Sequence, residues 1–154
     1  MSKAIIDTNV IFSALYKPKS TSGMIIFLAI EGIVNLIAPI SVREEILRKL
    51  KEKLEFSSEE AQFIVSSLPI DWIEKEIYED LLTKAKNMIR DESDAPIIAL
   101  YLATRYPIIT GDKDILESNV EAYKPSEYLR KLMDEKVIRK EELKKILGEI
   151  EKFV

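Results

Sequence analysis

Short apolar runs alternate along the chain with segments whose apolar residues recur at helical spacing, and this alternation predicts a strand–helix succession. Residues 3–7 (KAIID), 34–38 (VNLIA), 70–73 (IDWI) and 107–110 read as strands, with a last, weaker one at 120–123. Between the first two lie predicted helices over 10–16 and 23–31, the second capped by Ser22 and stopped at Gly32. A helix starting near Ser41 has capping-box spacing to Glu44 and an apolar stripe of Val42, Ile46, Leu47, Leu50 and Leu54. Ser57 and Ser58 open another that Pro69 closes, and 76–90 is expected to be helical throughout. Asp94 stands at the N-cap position and Pro96 in the first turn of a nearly all-apolar helix over 97–103. One helical turn at 112–117 and two helices over 126–133 and 139–153 complete the reading.

Strands that alternate with helices predict an α/β fold, with a parallel sheet covered on both faces. In such sheets ligands bind beyond the carboxyl ends of the strands, so the residues that follow each strand carry the functional weight. A chain of 154 residues suits one domain, expected to span 1–154 with its last helices at about 126–153.

Composition narrows the chemistry. The 47% hydrophobic and 32% charged residues describe a globular chain, and no apolar run approaches the roughly 18 residues of a membrane span. The opening MSKAIIDTNV lacks the pattern of a secretory leader, so a soluble, cytoplasmic protein is expected. Counts of zero Cys and zero His exclude disulfides, thiolate or imidazole metal sites, and catalysis through a Cys–His or Ser–His pair. Any metal must be held by oxygen.

Carboxylates gather at the strand ends. Asp7 follows the first strand, Glu45 lies in the first turn of the helix after the second, and Asp112 follows the strand that ends at Thr110. Asp94 joins them only if the loop before it returns to the same sheet edge. Each acid alone has a structural reading: Asp7 and Asp94 as helix caps, Asp112 and Asp114 as turn chemistry, Glu45 as exposed helix surface. Asp91 can stand in for Asp94. Clustered carboxylates repel one another unless cations neutralise them, and an all-oxygen set suits Mg²⁺ or Mn²⁺. Two such ions about 4 Å apart can activate water and stabilise the leaving oxygen of a phosphodiester. The net charge is −4, and setting Asp7, Glu45, Asp94 and Asp112 aside leaves the rest of the chain neutral, so it need not repel a polyanion. Arg43, Arg90 and Lys113 adjoin these acids in sequence and are candidates for phosphate contacts, with solvated surface charge as the alternative.

IIDTNVIFSAL, the Glu45-Ile46 pair within SVREEIL, DESDAPIIALYLA and IITGDKDIL occur in the order found in PIN domains, nucleases related to the flap endonucleases, and the chain resembles that family from residue 3 to about 128. The resemblance implies a three-layer α/β/α sandwich around four to five parallel strands. It implies that Asp7, Glu45, Asp94 and Asp112 match the acidic quartet that binds Mg²⁺ or Mn²⁺, with Asp114 as a frequent fifth acid and Thr8, Asn9 and Thr110 as supporting polar positions. It also implies single-stranded RNA as substrate, frequent homodimers and, for many small members, an antitoxin partner.

Two functions follow as expectations: a metal-dependent endoribonuclease, or a catalytically silent RNA- or protein-binding module with the same fold. A phosphatase or an acidic response-regulator pocket is a third reading, disfavoured because no strand end supplies the expected Lys.

Overall fold

The computed structural model of the protein describes residues 2–153. Five strands form one parallel sheet in the order β3-β2-β1-β4-β5: β1 (Ser2–Ile6), β2 (Val34–Pro39), β3 (Ile70–Ile73), β4 (Ile108–Ile109) and β5 (Ala122–Tyr123). The central strand shows why the sheet needs cover on both faces. Ala4, Ile5 and Ile6 are consecutive, so they point alternately to opposite sides, yet all three are fully buried. Ile5 aligns with Ile37 on one flank and Ile108 on the other.

Helices α1 (Thr8–Tyr16), α2 (Thr21–Ile30), α3 (Ile40–Leu54), α4 (Ser58–Ser67), α5 (Leu82–Lys86), α6 (Ala95–Thr104), α7 (Lys113–Leu116), α8 (Pro125–Asp134) and α9 (Lys140–Phe153) flank the sheet. Helix α6 packs on β1, β2 and α5, while α2 packs on α1, α8, α9 and β2. This is the expected α/β/α arrangement, with five strands. None of the described helices is long and apolar enough to cross a membrane.

Local chemistry departs from the sequence reading at four places. Helix α2 is capped by Ser20, whose Oγ accepts from the Gly23 amide at 3.2 Å, and Ser22 is buried inside the first turn. Gly23 fixes that start, since a Cβ there would lie 1.9 Å from the Pro18 carbonyl oxygen, so the 17–20 loop can close over the helix only at a glycine. The Ser41–Glu44 capping box does not form. Pro39 supplies the extended N-cap backbone of α3, and Ser41, already helical, sits beside the hydroxyl of buried Tyr78. The 76–90 stretch is not one helix but 3₁₀ turns at Lys75–Ile77 and Glu79–Leu81 followed by the short α5. Tyr78 divides it, plunging into the core between exposed neighbours with a φ of −123° that no α-helix holds. Finally, β4 and β5 are two residues each, shorter than the apolar runs that encode them.

Gly32 does stop α2, at φ +78°, and Ser57 forms a full capping box with Glu60 at the start of α4.

Candidate functional site

The sheet order reverses at β1, whose neighbours are β2 on one side and β4 on the other. A crevice therefore opens between the carboxyl ends of β1 and β4, the place where ligands bind in sheets of this type. It holds a pocket of about 180 Å³ lined by Asp7, Glu45, Asp91, Asp94 and Asp112, together with polar Thr8, Asn9 and Ser93 and basic Lys49.

Asp7 is the best anchored acid. It ends β1 and caps α1, only 5% exposed; Oδ1 accepts from the Thr8 amide at 2.7 Å and Oδ2 from Thr110 Oγ1 at 2.7 Å. Thr110, wholly buried, also accepts from the Asp112 amide at 2.9 Å, so one hydroxyl ties the β1 end to the β4 end. Asp112 in turn caps α7 through the Asp114 amide at 2.8 Å. Glu45 reaches in from α3, its Oε2 accepting from Thr8 Oγ1 at 3.1 Å and its Oε1 lying 3.5 Å from Lys49 Nζ.

Asp94 behaves differently. It stands at the N-cap position of α6 as the sequence predicts, but its side chain accepts no capping hydrogen bond, and its Oδ2 is buried with no hydrogen-bond partner among the described residues. The loop before it does return to the sheet edge, and there Asp91 caps the single 3₁₀ turn Glu92–Asp94 that leads into α6: Oδ1 accepts from the Ser93 amide at 3.0 Å and from Ser93 Oγ at 2.7 Å.

The electrostatics follow from this crowding. Burial raises the Asp94 carboxyl to about 7, helped by the Asp112 carboxylate facing it and by Asp7 and Asp91. Asp7 is also raised, mainly by burial, against the opposing hydrogen bonds from Thr110 and Thr8. Asp91, exposed and bonded to Ser93, is lowered. Among the described residues no three acids lie close enough to form a ready-made ion cluster. Glu45 meets Thr8 at one oxygen and Lys49 at the other.

Comparison with known proteins decides the family: the PIN domain profile matches residues 5–133. The chain belongs to the PIN domain family. An uncharacterized protein of Methanocaldococcus jannaschii is 29% identical over 154 residues, 99% of this chain and 94% of that one. Two solved structures share the PIN fold. A toxin-antitoxin complex from Klebsiella pneumoniae has a TM-score of 0.61 at 16% identity, covering 79% of this chain and 97% of that one. VapBC2 from Rickettsia felis, bound to a DNA fragment from its promoter, has a TM-score of 0.56 at 17% identity, with 79% and 98% covered.

Not every residue singled out in the sequence reaches this PIN pocket. Asp114 lines a separate crevice with Arg90, Met88 and Ser118, its amide donating to Asp112 Oδ1. Arg43 is not among the residues lining the pocket, and Lys113 is exposed beside Glu117 at 3.8 Å. Lys49 is the cation that does line it. Its signal was the Glu45–Lys49 spacing of four on α3, which places both side chains on one helix face.

Proposed function

We propose that this PIN domain is a metal-dependent endoribonuclease that cleaves single-stranded RNA, with Asp7, Glu45, Asp94 and Asp112 holding one or two Mg²⁺ or Mn²⁺ ions. The observation that carries the reading is the unpartnered Oδ2 of Asp94 in a pocket shared with four other acids. A buried acceptor without a donor is costly, and the oxygen-only donor set is the kind hard divalent cations take. Such an ion supplies charge neutralisation at the phosphodiester and a more acidic water. The chain's own groups do the rest. Thr110 and the Thr8 amide fix Asp7, Thr8 orients Glu45, and Asp112 is set by its place at the head of α7.

Measuring cleavage of single-stranded RNA with Mn²⁺ or Mg²⁺ tests it, against Asp7→Asn and Asp112→Asn. Metal-independent cleavage, or unaltered rates in both variants, rejects the assignment.

The silent-module reading draws on the engagement of Glu45 by Lys49 and on the spread of the acids. Calorimetry separates the two: no Mn²⁺ uptake, with RNA affinity indifferent to EDTA, favours the module. The fold shared with toxin-antitoxin assemblies supports an antitoxin protein as partner, and the family habit supports a homodimer of this chain. Residues 1–154 are read as one domain acting in the cytoplasm.

A further inference from the structure

Lys49 alone is basic among the described residues that line the acidic pocket, and its surroundings are unusually defined for a lysine. Its side chain is only 15% exposed; Nζ donates to Asn9 Oδ1 at 3.0 Å, lies 3.5 Å from Glu45 Oε1, and sits 5.9 Å from the centre of the Phe12 ring. An ordinary helix-surface pair at this spacing would lie in water and contribute little. Here the stem is sheathed and the ammonium is held at the pocket wall, in contact with one of the four acids proposed as ion ligands.

The consequence concerns Glu45. With Oε2 accepting from Thr8 and Oε1 3.5 Å from the Lys49 ammonium, its carboxylate has a partner at each oxygen while lining the same pocket as the other acids. An ion that draws on Glu45 together with Asp7, Asp94 and Asp112 would compete with Lys49 for that carboxylate and displace it. That step frees an ammonium at the pocket rim, where a polyanionic substrate must pass.

We infer that Lys49 is an exchangeable counter-ion: its ammonium pairs with Glu45 and passes to a phosphate oxygen of the substrate when Glu45 is engaged by an ion. The inference rests on the metal-nuclease reading above and adds a positioning residue to it. Lys49 thereby offsets one carboxylate charge in one state and one phosphate charge in the other. It also sets a threshold on cation uptake, because any divalent ion competes with it for Glu45.

Titration calorimetry with MnCl₂ on the wild type, Lys49→Met and Lys49→Arg tests the exchange. Lys49→Met is expected to bind Mn²⁺ about tenfold more tightly, the effect of deleting one positive charge near the ion in a partly solvated pocket, while Lys49→Arg stays near wild type. In Mn²⁺-dependent cleavage, Lys49→Met is expected to raise KM for RNA, with the salt dependence of KM reduced by about one charge. A thermal melt in EDTA confirms folding, and Lys49→Gln carries the same test should the Met variant not fold. Unchanged or weakened Mn²⁺ affinity on loss of the charge, in a protein whose wild type binds Mn²⁺, overturns the exchange and spares the nuclease reading. A wild type that takes up no Mn²⁺ overturns both.

Discussion

Thr110 donates to Asp7 across 103 residues of sequence, at 2.7 Å, in the wholly buried seam between the ends of β1 and β4. The bond sits beneath the pocket and serves the fold and the site together. Replacing Thr110 by Val keeps its shape but strands a buried carboxylate oxygen. The expected loss is about 1–3 kcal/mol, read from denaturant unfolding in EDTA, with Thr110→Ser close to wild type. Equal stability of the Val and Ser variants would show that the hydroxyl is not needed.

The crowding around Asp94 predicts a trade-off between stability and cation binding. Asp94→Asn removes a repelled, half-buried charge, so the variant is expected to melt above the wild type at pH 8 in EDTA. Added Mn²⁺ is expected to raise the melting temperature of the wild type and leave the variant nearly unmoved. A variant that melts lower in EDTA would mean that Asp94 is held by bonds rather than strained by charge.

The same group sets a pH dependence. Its folded value of about 7 exceeds the ordinary 3.8, so the folded state binds the proton more tightly than the unfolded chain does. The stability it contributes is complete below 3.8 and is lost as pH rises through about 7. Asp7, also raised, acts in the same direction. The lowered Asp91, Glu60 and Glu142 work oppositely, but only below the ordinary carboxylate range. Melting in EDTA should therefore be higher at pH 5.5 than at pH 8, and saturating Mn²⁺ should narrow or reverse the gap. A metal-free protein that gains stability across that interval would contradict the charge assignment.

Two substitutions away from the pocket test the fold alone. Gly23→Ala drives a methyl into the Pro18 carbonyl and is expected to cost about 1–3 kcal/mol or more, since backbone must move. Ser57→Ala removes the capping box of α4 at a cost of about 1 kcal/mol. Neither is expected to alter Mn²⁺ affinity, and a change in that affinity with Ser57→Ala would show that α4 is coupled to the pocket.

Much of the architecture was legible because burial writes itself plainly into parallel strands. AII in β1 and II in β4 are continuous apolar runs, and each is followed at once by a polar cluster that can lie only at the sheet edge. Helix starts were harder to read. Ser20, Ser22 and Ser41 are equally good caps by type, and tertiary contacts chose among them: Pro18 over Gly23, and Tyr78 beside Ser41. Tyr78 broke the 76–90 helix for a similar reason, one ring drawn inward against the local periodicity. At the pocket, the return of Asp94 depended on a loop path that no spacing encodes. For Asp114, which lines the neighbouring crevice, turn spacing alone does not separate a ligand from a residue whose amide serves the Asp112 cap.

The pairing of β1 with β4 also fixes when the pocket can exist. A chain emerging from the N-terminus can pair β1, β2 and β3 among themselves early, but Asp7 meets Thr110 and Asp112 only after more than two-thirds of the residues have been made. Until then the acids are scattered along an unfinished sheet. The pocket is thus a late product of folding, assembled only when β4 reaches β1.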